Sequence, residues 1–104
     1  MDDVTLTLDE KGHGAFLMMD DNDQQGEMVV RVTTTSLTVY HTEVSPKAEG
    51  KGLAKKMLDA MVDYARHHHL NVIPLCPYVH AQFKRHPEDY ADVWKQNQPK
   101  EERK

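Results

Sequence analysis

Val4, Leu6 and Leu8 alternate with Thr5, Thr7 and Asp9, the period of two expected of a strand with one wet face. The turn-forming run Glu10-Lys11-Gly12-His13-Gly14 follows, and Ala15-Phe16-Leu17-Met18-Met19 reads as the return strand of a hairpin. Asp20 to Gly26 is polar and is expected to be a loop. Met28 to Val32 is apolar and β-branched, a third strand, and Leu37 to Val44 alternates again, a fourth. The period then changes. Leu53, Ala54, Met57, Leu58, Met61, Val62 and Ala65 fall on one helical stripe, with Lys55, Lys56, Asp59, Asp63 and Arg66 on the wet side. This predicts a helix from near Lys51 to His67 or His69, with Lys55 and Asp59 as an i,i+4 ion pair. Val72-Ile73-Pro74-Leu75 is a short apolar strand. Strand, helix, strand requires a crossover, so the strands ending at Val44 and Leu75 are expected to run parallel. Tyr78 to Arg85 and Glu88 to Trp94 read as two short helices, and Gln96 onward as a polar, charged tail.

The predicted fold class is α+β with an α/β-like core. A four-strand antiparallel meander leads into a βαβ unit with parallel fourth and fifth strands, closed by short C-terminal helices. Residues 1–95 form one domain and 96–104 a flexible tail.

Composition narrows the class. The 104 residues suit one modest core, and 38% hydrophobic with 29% charged residues is the balance of a soluble globular chain. A net charge of −4 argues against nucleic acid as a partner, because phosphate neutralisation needs a basic face. No apolar run approaches a membrane span, and the acidic start Met1-Asp2-Asp3-Val4 is not a signal segment. One cysteine cannot form an intrachain disulfide. The expected location is the cytoplasm, without membrane or metal, as a monomer or weak homodimer.

The candidate chemistry lies where the period changes. In Glu43-Val44-Ser45-Pro46-Lys47-Ala48-Glu49-Gly50-Lys51-Gly52-Leu53-Ala54 a strand turns into a helix through two glycines one position apart. Such a turn can gather backbone N–H groups at a helix N-terminus with no Cβ in the way, a fit for phosphate or pyrophosphate. Ligands of parallel sheets bind beyond the carboxyl ends of the strands. The second such end leads into the only cysteine, in Pro74-Leu75-Cys76-Pro77. His41 lies on the strand before the glycine turn. Alternation places it on the face of Leu37, Val39 and Glu43, opposite Thr38, Tyr40 and Thr42. An imidazole near a thiol can activate it or serve as general base. On the pattern alone, a strand histidine with satisfied hydrogen bonds and a small buried cysteine that merely packs is the favoured reading.

These residues resemble the GNAT acetyltransferase superfamily, and within it a small minimal branch with a cysteine after the last core strand. The resembling segments are His41-Thr42-Glu43-Val44, Glu49-Gly50-Lys51-Gly52-Leu53-Ala54, Asn71-Val72-Ile73-Pro74-Leu75-Cys76-Pro77-Tyr78 and Arg85-His86-Pro87-Glu88-Asp89-Tyr90. The resemblance implies an N-acetyltransferase that takes acetyl-CoA as co-substrate. Its pyrophosphate turn, Gln/Arg-x-x-Gly-x-Gly/Ala, falls on Lys47-Ala48-Glu49-Gly50-Lys51-Gly52, with Lys47 a departure at the first position. It puts the pantetheine arm along Glu43, Val44 and Ser45, the diphosphate on Gly50 to Ala54 through Lys51, Gly52 and Leu53, and Pro77 and Tyr78 in the coenzyme-binding set. Cys76 and His41 take the positions of catalysis. The substrate-binding helices usual near the N-terminus are missing, and Phe83 stands where a proton-donating tyrosine is usual.

The implied reaction is acetyl transfer to an amine of unknown identity, by direct attack or through an acetylated Cys76. The alternatives are a module that binds coenzyme A without transfer and a partner-recognition domain whose glycine turn is structural. Asp21-Asn22-Asp23-Gln24-Gln25-Gly26 starts like a calcium loop but has Val32 at its twelfth place, so a solvated hairpin loop is the reading. His67-His68-His69 points in three directions on a helix end and makes a poor ligand set; His80 and His86 read as surface residues, and Tyr64 and Trp94 as packing residues.

Overall fold

The protein, described from a computed structural model over residues 2–94, builds one mixed five-stranded sheet: β1 (Asp2–Leu8), β2 (His13–Asp20), β3 (Asp23–Val32), β4 (Ser36–Val44) and β5 (Asn71–Pro74). The strands lie in sequence order, antiparallel through β4, with β5 parallel to β4. Between β4 and β5 run a 3₁₀ turn (Pro46–Ala48) and α1 (Leu53–His67); α2 (Pro77–Arg85) and α3 (Pro87–Tyr90) follow. The α+β class, the meander and the parallel βαβ unit are as expected. The proposed tail from Gln96 lies outside the described residues.

The alternation and the helical stripe meet in one core. Phe16, Met18, Met28, Val30, Leu37, Val39 and Val72 from the sheet pack under Leu53, Met57, Leu58, Met61, Val62 and Ala65 of α1 and Val79 and Phe83 of α2. Leu37 pairs with Val72 across the parallel ladder and both are buried, whereas Ile73, one residue on, is 38% exposed. The opposite face of the sheet therefore carries no helix among the described residues. Phe83 stacks on Tyr90 (4.5 Å between ring centroids) and leans on Trp94 (5.4 Å). Arg66 ties α1 to the chain after α3, donating to Asp92 Oδ2 (2.7 Å) and to the Asp89 carbonyl (2.6 Å).

Several boundaries differ from expectation. The polar stretch Asp20 to Gly26 is mostly strand: only Asp21 and Asn22 turn, and β3 starts at Asp23. Gln25 is the extra residue of a bulge, since Met18 pairs with Gly26 and Met19 with Gln24. Its carbonyl accepts from the Ser45 amide (2.7 Å), so tertiary pairing overrides its weak strand propensity. Helix α1 begins at Leu53 and not Lys51, because Gly50 and Gly52 hold φ of +87° and +74°, a left-handed geometry that ends any helix. Strand β5 stops at Pro74, which has no N–H for the ladder. The last helix is a single turn, with the Val93 and Trp94 amides both donating to the Tyr90 carbonyl.

Candidate functional site

The β4 and β5 strands part company halfway. Their pairing runs from Ser36↔Asn71 to Val39↔Pro74, and the Cys76 amide donates to the Val39 carbonyl (2.9 Å) as a last tie. From there β4 continues to Val44 paired with β3 alone. The sequence dictates the split. Pro74 ends the ladder, Leu75 folds back to donate to the Ile73 carbonyl (3.1 Å), and Pro77 opens α2 at its first turn, where its fixed φ and missing N–H cost nothing. On β4 the parting coincides with a bulge: Val39 pairs with Val30 and His41 with Val29, leaving Tyr40 unmatched.

That bulge reverses the alternation. Leu37 and Val39 face the core, but beyond Tyr40 it is Thr42, opposite the fully buried Met28, that points inward. His41 and Glu43 therefore lie on the helix-free face, not on the face of Leu37 and Val39 as unbroken alternation predicts. Cys76 is 1% exposed, and its thiol shares a hydrogen bond with the Thr42 hydroxyl (3.3 Å). The structure thus brings Cys76 to Thr42, and His41 to two carboxylates. His41 Nε2 lies 4.0 Å from Glu43 Oε2, and ligand atoms of His41, Glu43 and Glu27 all fall within 4.8 Å of one another. Glu27 pairs directly with Glu43 across β3 and β4 and accepts from Gln24 Nε2 (3.2 Å). An imidazole beside two carboxylates can help hold a cation or take a proton from one. Glu27 carries no sequence signal of its own; only the register of the third and fourth strands puts it there.

At the other end of the split the glycine turn is open. No side chain caps α1, its first turn holds no acid, and a Cβ built on Gly50 or Gly52 would meet nothing within 4 Å. Orphan N–H groups and the positive end of the helix dipole thus face a cavity of about 320 Å³ lined by Val44, Ala48, Glu49, Gly50, Gly52, Leu53, Ala54, Lys55 and Tyr78. Of the predicted coenzyme-binding residues, Val44, Gly50, Gly52, Leu53, Ala54 and Tyr78 line this cavity, and Glu43, Val44 and Ser45 line a second one beside it. Lys47 and Lys51 are exposed near its rim and Pro77 starts α2; none of the three lines either cavity. Burial, above all, pushes the Tyr78 phenol above its ordinary pKa, so it keeps its proton near neutrality. Phe83, by contrast, is fully buried in the core and does not face the cavity.

The geometry has known counterparts. A ribosomal-protein-alanine N-acetyltransferase from Brucella melitensis biovar Abortus 2308 shares the fold with a TM-score of 0.65 at 15% identity, over 86% of this chain and 90% of that one. The solution structure of a GCN5-like protein from Staphylococcus aureus matches with a TM-score of 0.63 at 25% identity, over 95% and 98%. Among curated proteins none matches the sequence. The profile of the GCN5-related N-acetyl-transferases matches residues 15–93, from the second strand to the last described turn, and the chain belongs to that family.

Proposed function

We propose that this acetyltransferase moves the acetyl group of acetyl-CoA directly onto an amine, with His41 as general base. The observation that carries the reading is the split itself: β4 leaves β5 after Val39, and an uncapped helix N-terminus opens at the far end of the same strand segment. The amides of Gly50 to Ala54 take the diphosphate, with Lys51 and Lys55 adding positive charge, and the backbone from Glu43 to Ser45 pairs with the pantetheine arm. The thioester then lies where the strands part, near Tyr40, His41 and Cys76.

The acceptor nitrogen, once neutral, attacks the thioester carbonyl carbon. A C–N bond forms and the C–S bond breaks, with its electron pair going to sulfur. The nitrogen's proton passes to the His41 imidazole, and the departing thiolate takes its proton from the imidazolium so formed or from solvent. Cys76 serves best as a packed, hydrogen-bonded end-stop for the split, because a thiol this buried is a poor first nucleophile. Thr42, which shares its hydrogen bond, supports that assignment.

The test is the thermal shift caused by coenzyme A, since a ligand of the native state raises stability by RT ln(1 + [L]/Kd). Wild type should shift upward, and Gly52→Glu should lose the shift because its carboxylate repels the diphosphate. Gly52→Glu also strains a left-handed position, so each protein is compared with its own unliganded melting point. An undiminished shift in Gly52→Glu would overturn the placement. Rapid-quench mass spectrometry with acetyl-CoA should leave Cys76 unmodified while amine product accumulates.

A further inference from the structure

We propose that the helix-free face of the sheet is the interface of a two-fold homodimer, two copies stacking face to face with their strands reversed. Alternation sets Ala15 and Leu17 of β2, Val29 of β3 and Ile73 of β5 on this face. None of them belongs to the buried core or packs against it. They form an apolar waist across the sheet. The first four strands are seven to ten residues long, and with strands about 4.8 Å apart the face spans roughly 600 Å² in projection. Side-chain relief brings the area it can bury close to the ~800 Å² per copy of a standard interface. Two sheets packed this way sit about 10 Å apart with their side chains interdigitated.

Charge selects the occupant and its orientation. Glu27, Val29 and Arg31 of β3 share this face, with Val29 midway and the two charged positions about 13 Å apart. The acidic end is doubled by Glu43, directly opposite Glu27, a like-charge pair that costs stability. The basic end is Arg31, exposed and in no ion pair among the described residues. A two-fold axis lying in the interface, across the strands at Val29, sets Arg31 of each copy over Glu27 of the other, because such a contact repeats itself. Each acidic pair then gains a guanidinium, and the apolar waists meet between the two cross-pairs. A copy stacked with its strands in the same direction would set Glu27 on Glu27 and Arg31 on Arg31. A foreign partner has no such reciprocity. His41 stands opposite Val29, beside the axis, and the dimer covers it. Given the proposed role of His41, an acceptor amine reaches the imidazole only in the separated chain; the interface itself does not depend on that role.

Sedimentation equilibrium of the full chain tests the interface, with circular dichroism to check that each variant is folded. Wild type should dimerise. Arg31→Glu and Glu27→Arg should each raise the dissociation constant about tenfold, since two exposed ion pairs turn into repulsions. Mixed in equal amounts, the two variants should recover the wild-type affinity, because in the mixed dimer every reversed charge meets an opposite one. Leu17→Glu, which places a charge in the apolar waist, should weaken association without any change at the ion pairs. Diethyl pyrocarbonate labelling, read by mass spectrometry, should modify His41 more slowly well above the wild-type dissociation constant than well below it. That measurement needs no turnover, so it separates the interface from the part His41 plays in transfer. A wild type still monomeric at about 1 mM, charge variants that associate as wild type does, a mixture no tighter than either variant alone, or equal labelling of His41 at both concentrations would overturn the interface.

Discussion

The two halves of β4 share one strand and one antiparallel neighbour, yet are built to different ends. Leu37 to Val39 is paired on both sides, and Leu37 and Val39 are fully buried. Tyr40 to Val44 is paired on one side, and three of its five side chains are exposed. The first half is held by packing that tolerates no loss. The second is held mainly by its ladder with β3, which leaves its side chains and one backbone edge available for chemistry. A single bulged residue, Tyr40, separates them. The comparison teaches that a strand need not be weakened along its length to present a site; one unmatched residue and one proline on the neighbouring strand are enough.

The sharpest way to break the contrast is to truncate one side chain in each half. Leu37→Ala should cost about 2–5 kcal/mol of stability, since a fully buried leucine loses its transfer energy and leaves a cavity. Urea unfolding would measure it, and a loss below 1 kcal/mol would mean that the paired half does not anchor the core. His41→Ala should do the reverse. Its half-exposed side chain contributes little to stability, but removal of the proposed general base should lower turnover about a hundredfold. Both can be read on one preparation, by melting temperature and by release of free thiol from acetyl-CoA in the presence of an amine.

The same contrast explains what the sequence made legible. Alternation in the first half of β4, the helical stripe of α1 and the glycines before it are local signals, so element order, fold class and the open turn at the start of α1 could be read directly. The proline pair around Cys76 was visible too, though not that Pro74 would end the ladder. The bulge at Tyr40 was not legible, because Val39-Tyr40-His41 contains no glycine or proline and its phase break comes from pairing with β3. That one missing register carried His41 to the wrong face and hid Thr42 as the partner of Cys76. Glu27 was invisible for the same reason: a carboxylate in a polar strand acquires meaning only from the residue opposite. Gln24 and Gln25 read as loop because their strand state is imposed by β2 and β4.

Thr42→Val sharpens the boundary between the halves, because Thr42 is the first residue past the bulge that still faces inward, with Val44 two positions on. The substitution keeps the shape and removes the hydroxyl that meets the Cys76 thiol at 3.3 Å. The loss should be about 1 kcal/mol or less, the worth of one hydrogen bond. Native Cys76 should react slowly with a disulfide reagent such as DTNB, because it is buried, and the variant's rate should rise as the thiol loses its anchor. Rapid labelling of wild-type Cys76 would instead place the thiol in the open split and restore the acetyl-cysteine route.

The smallest expected effect tests whether the paired half is supported from its far end. Asp9, in the turn before β2, accepts the Lys11 and His13 amides at 2.8 and 3.0 Å. The amide of Val32, the last residue of β3, donates to the Gly12 carbonyl of the same turn (2.8 Å), linking it to the sheet end where β4 begins. The amides, His13 first, hold the Asp9 carboxyl below the ordinary range of an aspartate. A group whose folded pKa is depressed contributes stability above its unfolded value, and that contribution drains away as pH falls through the folded one. The stability gap between wild type and Asp9→Asn should therefore be flat from neutrality to about pH 5 and close below pH 3.8. Thermal unfolding from pH 7 to pH 3 would follow it. A gap that stayed constant to pH 3 would show that the charge on Asp9 adds nothing beyond the hydrogen bonds asparagine can also accept, and that the buried half of β4 stands on its packing alone.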